Sequence, residues 1–222
     1  MTELEAIYQR HSVRNYLDKE IELGVAMQLK DFIDEVCLTS GLNIQLILNE
    51  PKAFDCAMAK YGHFVNVKNY IAFVGKRSKE LDEKIGYFGE KIVLKAQSLG
   101  LNTCWVALTY KKVNDAVKLQ KGEKIIIVIS LGIGKTNGKE RKSKTIYQVS
   151  NASDNSPKWF IDGVNSALKA PTAINQQQFY FKLKDGVVYA KKSLGLYAQM
   201  DLGIAKYHFE VGANKENFKW GN

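Results

Sequence analysis

The 222-residue chain is 45% apolar and 25% charged, an ordinary globular balance long enough to bury a core in one large domain or two small ones. Its net charge of +9 favours anionic partners without choosing among nucleic acid, a phosphate-bearing cofactor and an acidic surface. No run approaches the ~18–20 apolar residues of a membrane span, and the opening MTELEAIYQRHSVRNY lacks the apolar core of a secretory signal. The three cysteines, Cys37, Cys56 and Cys104, are an odd number without metal-ligand spacing. They read as free thiols of a reducing compartment, so the cytoplasm is the expected location and no metal site is expected.

Leu23, Ala26, Leu29, Ile33 and Val36 step by three or four and predict a helix over 22–38. Ile44 to Leu48 and Tyr70 to Val74 read as strands. Ile85, Phe88, Ile92, Ala96 and Leu99 predict a long helix stopped at Gly100. Within it, the small residues of GYFG, 86–89, allow either close helix packing or a plain core stripe. The β-branched run of 123–134 predicts a central strand. NASDNSP, 151–157, is the linker candidate. A helix is expected over 158–169, then a hairpin around Asp185-Gly186. A second long helix is expected over about 196–212, with no strand after it. His11, His63 and His208 have no metal spacing, and His208 reads as a satisfied core or surface histidine.

An echo runs through this order. Ser40-Gly41-Leu42-Asn43-x-Gln45 follows the first helix, and Thr172-Ala173-Ile174-Asn175-x-Gln177 follows the helix of the second half. Strands and a long helix come after each, KIGYFGEKIVL in one case and DLGIAKYHFEV in the other. The pattern suggests an internal repeat of ~130 residues. Its halves would be 1–150 and a truncated 151–222, related by a pseudo-two-fold axis like a dimer written into one chain.

Two basic elements carry candidate chemistry. Arg10, His11, Ser12 and Arg14 fall within five residues, and two guanidiniums with a hydroxyl can hold an anion by charge-assisted hydrogen bonds. Taken alone, a solvated basic helix end is the simpler reading. The strand after 123 runs through Gly132, Gly134 and Gly138 into Arg141, Lys142 and Lys144. It reads as a phosphate clamp or as a solvated basic loop.

Four stretches together, RHSVR, SLGLNTCWVAL, KSK and APTAINQQQF, resemble the signatures of the FMN-dependent nitroreductase family. The likeness spans nearly the whole chain. The usual Pro-Ser-x-x-Asn turn of that family follows the first helices, where this chain has LTSGLNIQ without the proline; its better copy lies at 171–177. The layout is similar to a subgroup in which one chain supplies both halves of a dimer. The implied fold is α+β, with mixed or antiparallel sheets flanked by helices.

The resemblance implies an FMN site. Arg10, Lys142 and Lys144 would meet the phosphate with Ser12 and His11 beside them, and Arg14 the N1/O2 edge of the flavin. Asn175 would meet the O4/N3 side, in the turn of Pro171, Thr172, Ala173 and Gln177. Backbone at Val106 and Ala107 would approach N5, although WVAL replaces the usual glycine-bearing stretch. The implied reaction passes electrons from NADH or NADPH through FMN to a nitroaromatic, quinone or similar small molecule, with no catalytic side chain required. A monomer with one FMN is expected, acting without nucleic acid or membrane. The alternatives are a basic non-enzymatic module for RNA or anionic surfaces, and a flavin-binding protein with little turnover.

Overall fold

The computed structural model describes residues 1–76 and 78–221. In chain order the elements are α1 Glu3–Gln9, α2 Leu23–Ser40, β1 Asn43–Ile47, α3 Ala57–Tyr61, β2 Asn69–Gly75, α4 Lys79–Ser98 and β3 Asn102–Val106. They continue with β4 Lys124–Gly132, α5 Ile146–Val149, α6 Lys158–Ala167, β5 Phe179–Lys184, β6 Val187–Lys192, α7 Ala198–Ala213 and β7 Lys219–Trp220. The class is α+β, as the sequence predicts. Among the described residues no helix is long and apolar enough to cross a membrane. The chain forms two compact units, one of Arg10–Leu81 with Ile92–Glu140, the other of Met1–Gln9, Asp82–Lys91 and the chain from Arg141 on.

The first unit is built on an antiparallel sheet in the order β1-β2-β4-β3. β4 sits inside it because Ile125, Ile126, Ile127, Val128, Ile129 and Leu131 are all buried, and only a strand covered on both faces takes an unbroken apolar run. Its one polar interior residue, Ser130, is satisfied by the Tyr16 hydroxyl at 2.8 Å. α2 buries Leu29, Ile33 and Val36. It ends where Gly41 takes a left-handed φ of 67° and donates its N–H to Cys37 O. Gly100, at φ 78°, lies just past the end of α4. The next residues, for which the periodicity predicts no element, form strand β3.

The second unit carries a sheet ordered β5-β6-β7. Asp185 and Gly186 both have positive φ, 50° and 75°, the geometry of a two-residue hairpin turn that matches strand twist. Contrary to expectation, a strand does follow α7: β7 pairs parallel with β6, and it brings one lysine, Lys219, rather than a pair. Phe160, Phe181 and Phe209 form the aromatic centre, with the last two rings stacked at 4.7 Å.

Residues 82–91 of α4 cross α7 within this unit, and the crossing is reciprocal. A Cβ on Gly86 would lie 2.0 Å from Met200 O and 3.1 Å from Ile204 N; one on Gly203 would lie 2.0 Å from Glu83 O and 2.7 Å from Tyr87 N. Each glycine thus meets the residue three before the other and the residue one after it. Farther along, His208 Nε2 lies 2.9 Å from Glu90 Oε1, while Lys91 Nζ stands 5.6 Å over the Tyr207 ring; the same two offsets are exchanged between the helices. Of the two readings of GYFG, close packing is the observed one at Gly86.

The compact units do not follow the sequence boundary at 150/151. This crossing draws the middle of α4 into the unit of the second half, and segment 141–150 clusters there too. The echo is also unequal in shape. β1 already begins at Asn43, whereas residues 173–175 form a 3-10 turn and the strand waits until Phe179.

Candidate functional site

In the four-stranded unit, β3 is an edge strand, and the segment after Gln9 adds to its free side. Ser12 bridges Thr103 in parallel, and Val13 N–H donates to Thr103 O at 3.0 Å. Arg14 O then accepts from Val65 N–H at 2.9 Å. An extended backbone pinned this way alternates its side chains: Val13 is buried, while Ser12 is half-buried and Arg14 exposed. Arg10 is only 5% exposed, with Nη2 3.5 Å from Ser12 Oγ. The Arg14 guanidinium lies 5.8 Å over the Phe64 ring. His11 packs on Gly138, where a Cβ would come within 2.6 Å of its own Cβ and where φ is 82°. Val106 is buried at the end of β3, and half-buried Ala107 follows it. Residues 10–14 therefore lie alongside β3, the strand that ends at Val106.

In the other unit, the lysines and the Asn-Gln turn meet. Asn175 Nδ2 donates to Lys142 O at 2.7 Å. Gln177, 2% exposed, binds on every side. Its Oε1 accepts from Lys144 N–H at 2.8 Å, its backbone O accepts from Lys144 Nζ at 2.9 Å, and its Nε2 donates to Ser143 Oγ and Leu168 O. Thr172 Oγ1 accepts from Gln177 N–H. Pro171 and Thr172 are buried, Ala173 and Asn175 half-buried, and Lys142 exposed. So Lys142, Lys144, Thr172, Asn175 and Gln177 form one hydrogen-bonded patch although about 30 residues separate its two strands of chain.

The turn is strained. Ile174, Asn175 and Gln177 have φ of 45°, 58° and 47°, and a β-branched residue rarely accepts the left-handed region. One residue that the sequence reading passed over sits beneath it. Asp201, 3% exposed on α7, accepts from Ala173 N–H at 3.0 Å and from Gln176 Nε2 at 2.8 Å. Burial pushes its carboxyl up to about 6, against the two donors, which lower it. The signal that marks it in the sequence is a lone acid among Ala198, Met200, Leu202 and Ala205 on a buried helix.

The family described as "Putative TM nitroreductase" matches residues 3–213. The chain belongs to that family. Nitroreductases are oxidoreductases, and the expectation from the four sequence stretches holds at that level. A crystal structure described as a "putative nitroreductase" from Thermotoga maritima aligns with a TM-score of 0.73 at 24% identity, over 97% of this chain and 85% of that one. A second, from Desulfovibrio desulfuricans and described as in complex with FMN, aligns with a TM-score of 0.51 at 18% identity, over 71% of this chain and 99% of that one. At such identities the likeness establishes the nitroreductase fold. No curated protein matches the sequence.

Proposed function

We propose that this nitroreductase binds FMN and passes electrons from NADH or NADPH to a small-molecule acceptor such as a nitroaromatic or a quinone. The observation that carries the reading is the knitting of the strained Asn175 turn to the Lys142–Lys144 segment. The donor set suits the cofactor. An ammonium has three donors, and Lys144 spends one on Gln177 O, so two remain for a phosphate. Asn175 spends one amide hydrogen on Lys142 O, which leaves its second N–H and its Oδ1 for a flavin edge. Arg10, His11, Ser12 and Arg14 would complete the anion and pyrimidine contacts, with the backbone of Val106 and Ala107 toward N5 and Pro171, Thr172 and Ala173 shaping the turn. Bound FMN supplies the two-electron chemistry. The reciprocal Gly86–Gly203 crossing supports the reading of 1–150 and 151–222 as halves related by a pseudo-two-fold axis. The protein would work as a monomer in the cytoplasm, without nucleic acid or membrane.

The test is turnover. Protein incubated with FMN and freed of excess should oxidise NADH or NADPH only when a nitroaromatic or quinone is added or oxygen substitutes for it. Stable flavin binding without reduction by either nicotinamide would instead identify a flavin-binding protein with little turnover.

A further inference from the structure

Ile174 is 90% exposed, so its own packing does not hold it at a φ of 45° and ψ of 23°. Something else must maintain the left-handed pair Ile174-Asn175. Asp201 contacts the turn on both sides of that pair. Oδ1 accepts from the Ala173 N–H immediately before it, and Oδ2 accepts from the Gln176 side chain immediately after it. Gln176 Nε2 is further tied to Leu196 O at 2.5 Å, which fixes the amide over the start of α7. A carboxylate suits this place because both its oxygens accept. An asparagine would turn one of its two terminal atoms into a donor facing a donor.

The residue is expensive to keep. An ionised carboxylate in a buried site is disfavoured, and its raised value shows the penalty at work. The balance is set by burial against the two N–H donors; no charged side chain of the described residues contributes to it. A leucine or alanine would fill the helix face with no such penalty. At the position that the repeat equates with Asp201, the first half has Lys84, and its turn runs directly into β1 with Gly41 as its one left-handed residue. The acid and the strained turn occur together in one half and are both missing from the other.

We propose that Asp201 is a positioning residue for the flavin-binding turn, bracing Ala173 and Gln176 so that Asn175 is held in the conformation that receives the cofactor. The role of the turn rests on the FMN reading above; the brace itself does not. Because the folded-state carboxyl lies above its ordinary 3.8, this group's stabilising contribution is present at low pH and is lost as pH rises from about 4 through about 6. Asp201→Asn escapes that loss. It should therefore be as stable as the wild type at pH 8, or more so, while its turn is looser. A residue of merely structural importance would lose stability and affinity together.

The experiment compares wild type, Asp201→Asn and Gln176→Ala as full chains, with FMN as the probe. Hydrogen exchange without added flavin should be at least tenfold faster across 173–177 in Asp201→Asn. FMN affinity at pH 8 should fall at least fivefold with no drop in the unfolding midpoint. Below pH 6 the wild-type carboxyl takes up its proton, so the affinity ratio of the two proteins should shrink toward one. The phosphate's own ionisation is common to both and cancels in that ratio. Gln176→Ala removes one arm of the brace without touching the buried acid and should shift exchange and affinity in the same direction, by less. Unchanged exchange across 173–177 in both variants would overturn the brace. An affinity loss that tracks the unfolding midpoint, with a pH-independent ratio, would overturn positioning. If the wild type binds no FMN, the cofactor reading and the positioning role fall together, and the exchange result alone decides whether Asp201 braces the turn.

Discussion

Gly203→Ala is expected to remove about 3 kcal/mol or more of stability. The added methyl would sit 2.0 Å from Glu83 O and 3.0 Å from Glu83 C, and both are backbone atoms of a helix that cannot rotate aside. The helices must separate, which also strains the contacts beside the crossing: Lys206 Nζ to Glu83 Oε1 at 2.6 Å, and Tyr87 OH to Glu210 Oε2 at 2.5 Å. Against a typical total of ~5–15 kcal/mol, that is a large share. Gly86→Ala, at 2.0 Å from Met200 O, should cost a similar amount. The double variant should cost less than the sum, because the first methyl already forces the helices apart. Gly24→Ala is the control. No heavy atom lies within 4 Å of its new Cβ, so the change should be neutral or stabilising by up to ~1 kcal/mol. Denaturant unfolding of the four variants beside the wild type decides the matter; a wild-type midpoint for Gly203→Ala would contradict the crossing.

The regular parts of the fold were legible where a residue's backbone preference or period fixes the outcome alone. Asp185-Gly186 predicts its hairpin because both positions need positive φ, and the β-branched run of 123–134 predicts a central strand, observed over Lys124–Gly132. What was not legible depends on partners distant in the chain. Asn102–Val106 is short and has no period of its own after the helix stop at Gly100; its neighbour β4 makes it a strand. GYFG left two packing modes open until Gly203, 117 positions after Gly86, supplied the other surface. Asp201 looked like an ordinary helix acid because its acceptors' partners, Ala173 and Gln176, lie 28 and 25 residues earlier. The pairing of Lys142 and Lys144 with the Asn175 turn came from the resemblance, and within the second unit the hydrogen bonds join the same residues. Arg10 to Arg14 were legible as a cluster of cations, but their alignment on the edge of β3 was not, since nothing in RHSVR signals an added strand.

The Lys142→Ala, Lys144→Ala double variant is expected to weaken FMN at least tenfold. Each charge-assisted contact to the phosphate is worth ~1.5–3 kcal/mol, and ~1.4 kcal/mol is a factor of ten. The two lysines are not equivalent. Lys142 joins the turn through its backbone O, which alanine retains, so Lys142→Ala removes charge alone. Lys144 also holds Gln177 O with its ammonium, so Lys144→Ala loses both the charge and a tie to the turn. Riboflavin, which lacks the phosphate, separates these effects in a titration. Its affinity should be unchanged in Lys142→Ala and reduced in Lys144→Ala. Equal FMN affinity in the double variant and the wild type would remove both lysines from the site.

The number of flavins per chain tests the central claim most directly. The strip with two arginines lies at 10–14, and the lysine pair that follows the glycine-ended strand lies at 142–144; the stretch before α6, NASDNSPKW, has no arginine, and β7 brings only Lys219. Only the second half has the strained Asn turn. Protein saturated with FMN, freed of excess and denatured should release one flavin per 25.0 kDa chain. A reproducible ratio near two would show that both halves build a site, and a ratio near zero would contradict the flavin assignment itself.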